Sequence, residues 1–130
     1  MTKSIGFLLL IIFSVILSSC VSLSEVQDQN ALTPEEIRTL FENKTYVLIS
    51  MKSGKELLVY SAHDQCTMRY VTGTRLKTQQ WYIKGNQHCC VNKAKEMCGE
   101  IFPKANGVYH KIDKGRHTHI MKDFREGNQL

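Results

Sequence analysis

The sequence predicts a mainly β protein, with one short N-terminal amphipathic helix followed by an antiparallel β-meander of about eight strands that forms a small barrel or a sandwich. The chain has 130 residues, which is enough for one domain. After Lys44, short runs rich in β-branched and aromatic residues recur about once every ten residues, and several are separated by glycine-containing turn signals. Its 42% hydrophobic and 22% charged residues exclude disordered and collagen-like chains.

The first 19 residues predict a lipoprotein signal peptide. Lys3 gives a positive start, and the uncharged apolar stretch 5–17 would reach roughly 20 Å as a helix, short of the roughly 30 Å hydrocarbon core. Leu17-Ser18-Ser19-Cys20 follows, and it resembles the lipobox of bacterial lipoproteins. The resemblance implies cleavage before Cys20 and attachment of lipid to its thiol, which would give stable membrane anchoring.

The predicted location is the cell envelope. In the enteric-type sorting rule for bacterial lipoproteins, an Asp directly after the lipid-bearing cysteine retains the protein in the inner membrane. Val21 stands at that position here, so the resemblance favours the outer membrane, with the protein facing the periplasm. We expect no nucleic-acid partner there, and an oxidising environment for the cysteines. Residues 44–130 hold 15 bases and seven acids, so an anionic envelope polymer or an envelope protein is a candidate partner besides membrane lipid.

Residues 20–31 are polar and aperiodic, and they predict a flexible tether. A single β-rich domain is expected over 32–128. It begins with a helix over 34–42, because Thr33 and Glu36 form a capping box and Pro34 suits the first helical position. The helix has an apolar stripe of Ile37, Leu40 and Phe41.

The strands follow in the order set by the turn signals. They are predicted at 46–51, 57–61, 67–72, 81–84, 88–91, 98–102, 108–112 and 118–121. An eight-stranded barrel has an interior that is either just filled by side chains or holds one small ligand. The sequence does not choose between these two interiors.

A set of spaced single residues runs through nearly all of the folded part. It includes Leu32, Glu36-Ile37, Leu40-Phe41, Gly54-Lys55, Tyr60, Trp81, Gly85, Cys90-Val91, Cys98, Ile101, Gly107 and Gly115. Their order resembles a family of small exported bacterial proteins of unknown function, built from a helix and a Cys-bridged β-meander. The resemblance implies the fold and brings no activity with it.

Four cysteines follow Cys20, and two bridges among them allow three connectivities. The family resemblance implies a bridge between Cys90 and Cys98, with Cys66 and Cys89 as a candidate second pair. A one-residue slip of the strand would instead join Cys89 to Cys98 and reverse its faces.

A second resemblance concerns Thr72-Gly73-Thr74-Arg75 and the segment Trp81-Tyr82-Ile83-Lys84-Gly85-Asn86. Both stretches resemble periplasmic C-type lysozyme inhibitors, which are also small lipidated barrels. The resemblance implies that Thr72 and Lys84 would reach into the acidic cleft of the enzyme. Lys84 is therefore a candidate ligand-binding residue. Trp81 is a second candidate, as an aromatic platform on which a ligand would stack, and burial in the core is the alternative.

Three histidines near the carboxyl end are candidate metal ligands. His117 and His119 share one face of a regular strand. A two-residue Lys114-Gly115 turn pairs His110 with His119 and would gather three imidazoles suited to zinc or copper. A three-residue turn pairs His110 with Thr118 instead.

No catalytic motif is found in the chain, so we expect neither an enzyme nor a cofactor. The sequence predicts a lipid-anchored cell-envelope protein with a non-enzymatic binding or envelope-maintenance role. The alternatives are a lysozyme-inhibitor-like protein and a periplasmic metal-binding protein.

Overall fold

The computed structural model describes residues 30–130, which form a closed barrel of eight antiparallel strands preceded by one helix. Each strand pairs with the next along the chain, and the first pairs with the last. The mainly β fold class is confirmed, and the architecture is the barrel. The predicted signal peptide, the lipid attachment at Cys20 and most of the tether lie outside the described residues.

Six of the predicted strands are longer than the sequence indicated, and those predicted at 67–72 and 108–112 keep their length at shifted positions. All eight are present. They are β1 Lys44–Ser50, β2 Glu56–Ser61, β3 Gln65–Tyr70, β4 Lys77–Lys84, β5 Gln87–Asn92, β6 Lys95–Pro103, β7 Tyr109–Asp113 and β8 Arg116–Glu126. A short 3-10 turn, Ala105–Gly107, separates β6 from β7. The extra length lies mainly in polar residues at strand ends, where pairing with a neighbour overrides weak local propensity.

The helix α1 (Pro34–Phe41) covers one end of the barrel. Thr33 and Glu36 form the predicted capping box, and Asn43 has a left-handed conformation just after the helix. Ile37 and Phe41 are fully buried. Among the described residues no helix is long and apolar enough to span a bilayer.

Aromatic packing joins the helix to the barrel interior. The ring of Phe41 lies 5.2 Å from that of Tyr46, 6.2 Å from that of Trp81 and 4.3 Å from that of His88, measured between centroids. Trp81 also donates from Nε1 to the carbonyl of Ala62 at 2.8 Å. The helix therefore seals this end, which we call the helix end.

Four loops lie at the opposite end, because the strands alternate in direction. They are residues 51–55, 71–76, 93–94 and 114–115, and we call them the mouth loops. The barrel interior is thus bounded by an apolar plug at one end and by these loops at the other.

Replacement of Trp81 by alanine tests the packing at the helix end. Trp81 is 1% exposed, so Trp81→Ala is expected to lower the free energy of unfolding by about 3–5 kcal/mol. Leu76→Ala is the control, since Leu76 is 57% exposed and its loss should change the value by less than about 0.5 kcal/mol. Urea unfolding measures both, and equal losses in the two variants would contradict this core.

Candidate functional site

The barrel interior is not filled: a cavity of about 270 Å³ extends from the buried core toward the mouth loops. Its wall is formed by inward-facing side chains of all eight strands. Apolar and sulfur-containing groups dominate the wall, which comprises Tyr46, Leu48, Leu57, Val59, Cys66, Met68, Tyr70, Lys77, Gln79, His88, Cys90, Asn92, Met97, Lys111, His119 and Met121. Tyr70 and Lys77 line it and are exposed, so the cavity reaches the surface at the mouth.

One charged side chain is buried in this wall. Lys111, on β7, is 3% exposed. Its Nζ lies 3.1 Å from Nδ1 of His88 and donates to the carbonyl of Met97, also at 3.1 Å. Burial lowers the pKa of the Lys111 ammonium, because the charged form is poorly solvated there. An ammonium has three donor hydrogens, and these two contacts leave one for a further acceptor.

Gly99 on β6 makes room for the stem of this lysine. A Cβ at position 99 would lie 2.8 Å from Cγ of Lys111 and 3.1 Å from the carbonyl oxygen of Ile112. A glycine within a strand often marks such a close approach. The absence of a side chain at Gly99 therefore lets Lys111 lie across β6 and reach the carbonyl of Met97. No motif in the sequence indicated Gly99 or Lys111.

His88 adds a second donor to the cavity wall. Burial lowers its pKa well below the usual range, so the imidazole is neutral at pH 7. The ammonium of Lys111 can only donate, which assigns the acceptor role to Nδ1 and the proton to Nε2. Nε2 is buried and has no partner among the described residues. A buried donor without a partner is costly unless an acceptor reaches it.

Two free thiols also face the cavity, Cys66 on β3 and Cys90 on β5. A hydrogen bond between them, and to a smaller extent the charge of Lys111, lower the pKa of Cys90 to about 7, although burial opposes the shift. The same hydrogen bond, together with burial, raises the pKa of Cys66. The pair therefore carries one readily ionised thiol and one that stays protonated.

The predicted bridge between Cys90 and Cys98 is wrong by one residue, because the structure joins Cys89 to Cys98. It also leaves Cys66 unbridged, which overturns the second pair with Cys89. The cause is the turn between β5 and β6. Lys93 and Ala94 form a two-residue turn with positive φ at both positions, and it pairs Cys89 directly with Cys98. Neither residue is one that such turns favour, so the sequence suggested a longer loop.

The three candidate metal-ligating histidines do not come together. The Lys114-Gly115 turn has two residues, as one alternative held, but a bulge follows it on β8. Lys111 then pairs with His119, and Ile112 with His117. The bulge places His119 in the cavity wall, whereas His117 stacks against His110 with centroids 4.2 Å apart. Burial lowers the pKa of His119 to about 4.

The candidate ligand-binding residues lie away from the cavity. Trp81 is core at the helix end, where the guanidinium of Arg38 lies 4.9 Å from its ring centroid. Lys84 is exposed, and its Nζ is 3.3 Å from a carboxylate oxygen of Glu96. Thr72 lies in a mouth loop, so the strand β4 separates it from Lys84 by roughly 25 Å along the barrel. The two residues implied by the inhibitor resemblance therefore do not form one site.

Among residues 30–130, the group of potential metal ligands that lies close together is Cys89, Glu96 and Cys98. The two sulfur atoms are bonded to each other, so they are not thiolates and do not ligate metal in this state. Tyr82 donates to Glu96 beside them. This cluster therefore stabilises the outer wall of the barrel.

The chain was compared with known proteins at three levels. No family model, no curated protein and no solved structure matches it. The function is therefore argued from the cavity and its chemistry.

Alkylation of Cys90 tests the thiol pair. In a protein without Cys20, iodoacetamide labelling of Cys90 should rise with pH through about 7, because the thiolate is the nucleophile. Cys66 should remain unlabelled over that range, since its pKa is raised. Mass spectrometry of unreduced peptides identifies the labelled residue. Cys66→Ala removes the hydrogen-bond donor, so the midpoint for Cys90 should move upward; an unchanged midpoint would contradict the pairing.

Proposed function

We propose that this protein is a lipid-anchored cell-envelope protein whose barrel binds one small, mainly apolar molecule that carries an acidic group. The single observation that carries the proposal is the buried ammonium of Lys111 in the wall of a mainly apolar cavity. A concave apolar site with a few convergent polar groups is the usual form of a small-molecule site. The role is non-enzymatic.

The volume of the cavity sets the size of the ligand. Engineered cavities of about 150 Å³ hold a benzene molecule, so 270 Å³ suits a molecule of roughly ten non-hydrogen atoms. The leucine, valine and methionine side chains of the wall suit a hydrocarbon chain. A medium-chain carboxylic acid such as octanoate meets both requirements.

The donors of the wall suit the acidic group. Lys111 has one donor hydrogen beyond its two contacts, and the Nε2 proton of His88 has no acceptor within residues 30–130. A carboxylate supplies acceptor oxygens for such donors, and charge-assisted hydrogen bonds of this kind are the strong ones. A negative charge beside Lys111 also favours its protonated form, which offsets the effect of burial.

Binding suits these residues better than catalysis does. A thiol is activated as a nucleophile by a lowered pKa, as at Cys90, and catalysis by a nucleophile–base pair also needs a general base within hydrogen-bond reach. The partner of Cys90 is the thiol of Cys66, and Nδ1 of His88 is occupied by Lys111. The described residues around the cavity therefore provide recognition and no activated nucleophile–base pair.

The membrane anchor is supported by the sequence at the amino terminus. The apolar stretch 5–17 leads into Leu17-Ser18-Ser19-Cys20, which has the order of a lipobox. Export also agrees with the Cys89–Cys98 disulfide, because such bonds persist in oxidising compartments. A barrel displayed in this way would take up its ligand at the membrane or in the periplasm.

Octanoate binding tests the cavity. Calorimetric titration should show that octanoate binds the protein more tightly than octanol does, because only the acid pairs with Lys111. Lys111→Met should weaken octanoate binding by about 10- to 100-fold and leave octanol binding within a few-fold. Octanoate binding should weaken as the pH rises and Lys111 loses its proton. This loss should occur at a lower pH than for an ordinary lysine, because burial lowers the pKa of Lys111.

Two variants complete that test. Lys122→Met is the matched control, because Lys122 follows the inward-facing Met121 on β8 and so faces outward; it should bind octanoate as the parent does. Gly99→Ala keeps the lysine but displaces its stem, so it should weaken octanoate binding as well. Equal binding of octanoate and octanol by the parent protein would overturn the proposal.

Replacement of Cys20 tests the anchor. In cells fed with labelled palmitate, the parent protein should incorporate label and partition with membranes. Cys20→Ala should lose the label and accumulate with residues 1–19 still attached, since the thioether cannot form. Cys66→Ala, which also removes one thiol, should retain the label. Label in Cys20→Ala at the amino terminus would contradict the lipoprotein assignment.

A further inference from the structure

The mouth loops carry charge of one sign. They contain five bases and no acid, and all five are exposed: Lys52, Lys55, Arg75, Lys93 and Lys114. The strand residues that flank these loops are nearly balanced, with Glu56 and Asp113 against Lys77, Lys95 and Arg116. The loops therefore form a positively charged ring around the opening of the cavity.

The same end carries the exposed apolar side chains. Within residues 30–130, the large hydrophobic residues that are exposed are Met51, Tyr70, Val71 and Leu76, each between 43% and 57%. All four lie in the mouth loops or on the last residue before one. Scattered exposed apolar residues need no explanation, but their confinement to one end of a barrel does.

Hydrogen bonds from the side chain of Arg69 hold the loop 71–76 in one conformation. The guanidinium of Arg69 donates to the carbonyls of Tyr70, Val71 and Gly73 at 3.3, 3.1 and 3.2 Å. Lys55 lies 5.7 Å from the ring centroid of Tyr70, which connects this loop to the neighbouring one. Val71 and Leu76 are thus held outward on an ordered loop.

The helix end differs from the mouth loops in both charge and exposed apolar surface. The helix and its adjoining loops hold Glu35, Glu36, Glu42 and Asp64 against Arg38 and Lys104. Exposed large hydrophobic residues are missing from this end in the described part of the chain. The barrel is therefore polarised along its axis, and an anionic surface would orient it with the mouth loops forward.

We propose that the mouth loops dock on an anionic lipid bilayer, with Met51, Val71 and Leu76 entering the headgroup region and the five bases contacting lipid phosphates. A ring of bases alone would suit any polyanion. The added apolar tips favour a bilayer, because burial of apolar area and attraction to anionic lipids act together only at a membrane surface. This inference is independent of the octanoate proposal.

Vesicle sedimentation tests the docking surface. The chain from Val21 onward lacks the lipid anchor, and the closed barrel with its own core makes residues 30–130 a self-contained folding unit. This protein should sediment with vesicles of equal parts phosphatidylcholine and phosphatidylglycerol and should stay in solution with phosphatidylcholine alone. Added salt should weaken the binding, since exposed charges are screened.

Three variants separate the contribution of the mouth-loop bases to vesicle binding from that of the apolar side chains. Replacing the five mouth bases by glutamine should reduce partitioning by at least about 100-fold, because each base near an anionic leaflet contributes about a fivefold change. The triple variant Met51→Ser, Val71→Ser, Leu76→Ser should reduce partitioning by about tenfold or more at the same salt dependence. The control variant replaces Lys104, Lys122 and Arg125 by glutamine in the same way. Because these bases lie outside the mouth loops, it should bind vesicles within about twofold of the parent.

Two outcomes would overturn the inference. One is a loss of binding in the control variant equal to that in the five-base variant, which would indicate an unspecific charge effect. The other is binding to soluble dextran sulfate that equals vesicle binding and is unaffected by the three serine substitutions, which would assign the surface to an acidic polymer. Octanoate titration of the five-base variant reports separately on the cavity, because Lys111 is intact there.

Discussion

Pairing of β1 with β8 closes the sheet into a barrel, and this closure fixes which side chains share the interior. In a closed barrel, alternate residues of every strand face one shared interior, so the register of each hairpin decides which side chains meet. Leu48 pairs with Met121 across the closing edge, and both line the cavity. The same alternation sends Cys89 outward to its bridge and Cys90 inward to Cys66. One structural rule thus produces both the disulfide and the chemistry of the interior.

The buried ammonium of Lys111 is a feature that packing alone would not retain. Buried charges carry a desolvation cost, and apolar residues of similar volume often stabilise a core better. The barrel supplies Gly99, the carbonyl of Met97 and Nδ1 of His88 to accommodate this one group. Such an arrangement is reasonable where the charge has a use, and a ligand with an acidic group would provide one. The unpartnered Nε2 of His88 in the same wall agrees with that use.

The two ends of the barrel divide the proposed roles between them. The helix end is sealed by Phe41 and its aromatic neighbours and is acidic outside. The mouth is open, basic and apolar at its tips. In the proposed arrangement the chain between Cys20 and Leu32 has a maximum reach of roughly 40 Å. This reach exceeds the length of the barrel wall, since β4 spans roughly 25 Å. The anchor and the mouth can therefore contact the same leaflet, and an amphiphile leaving the bilayer would meet the cavity opening directly.

The elements of this protein and their order can be predicted from the amino-acid sequence alone. Thr33, Pro34 and Glu36 specify the start of the helix through local hydrogen bonds, and the β-branched runs specify eight strands, because both signals act within a few residues. The strand registers and the contacts between distant strands depend on tertiary packing, which such short-range signals do not specify. The two-residue turn at Lys93-Ala94 and the bulge near Thr118 set the registers, and so selected Cys89 over Cys90 and moved His119 inward. Lys111, His88 and Gly99 meet only because closure brings β5, β6 and β7 around one cavity, and no local pattern marks residues whose partners lie on other strands.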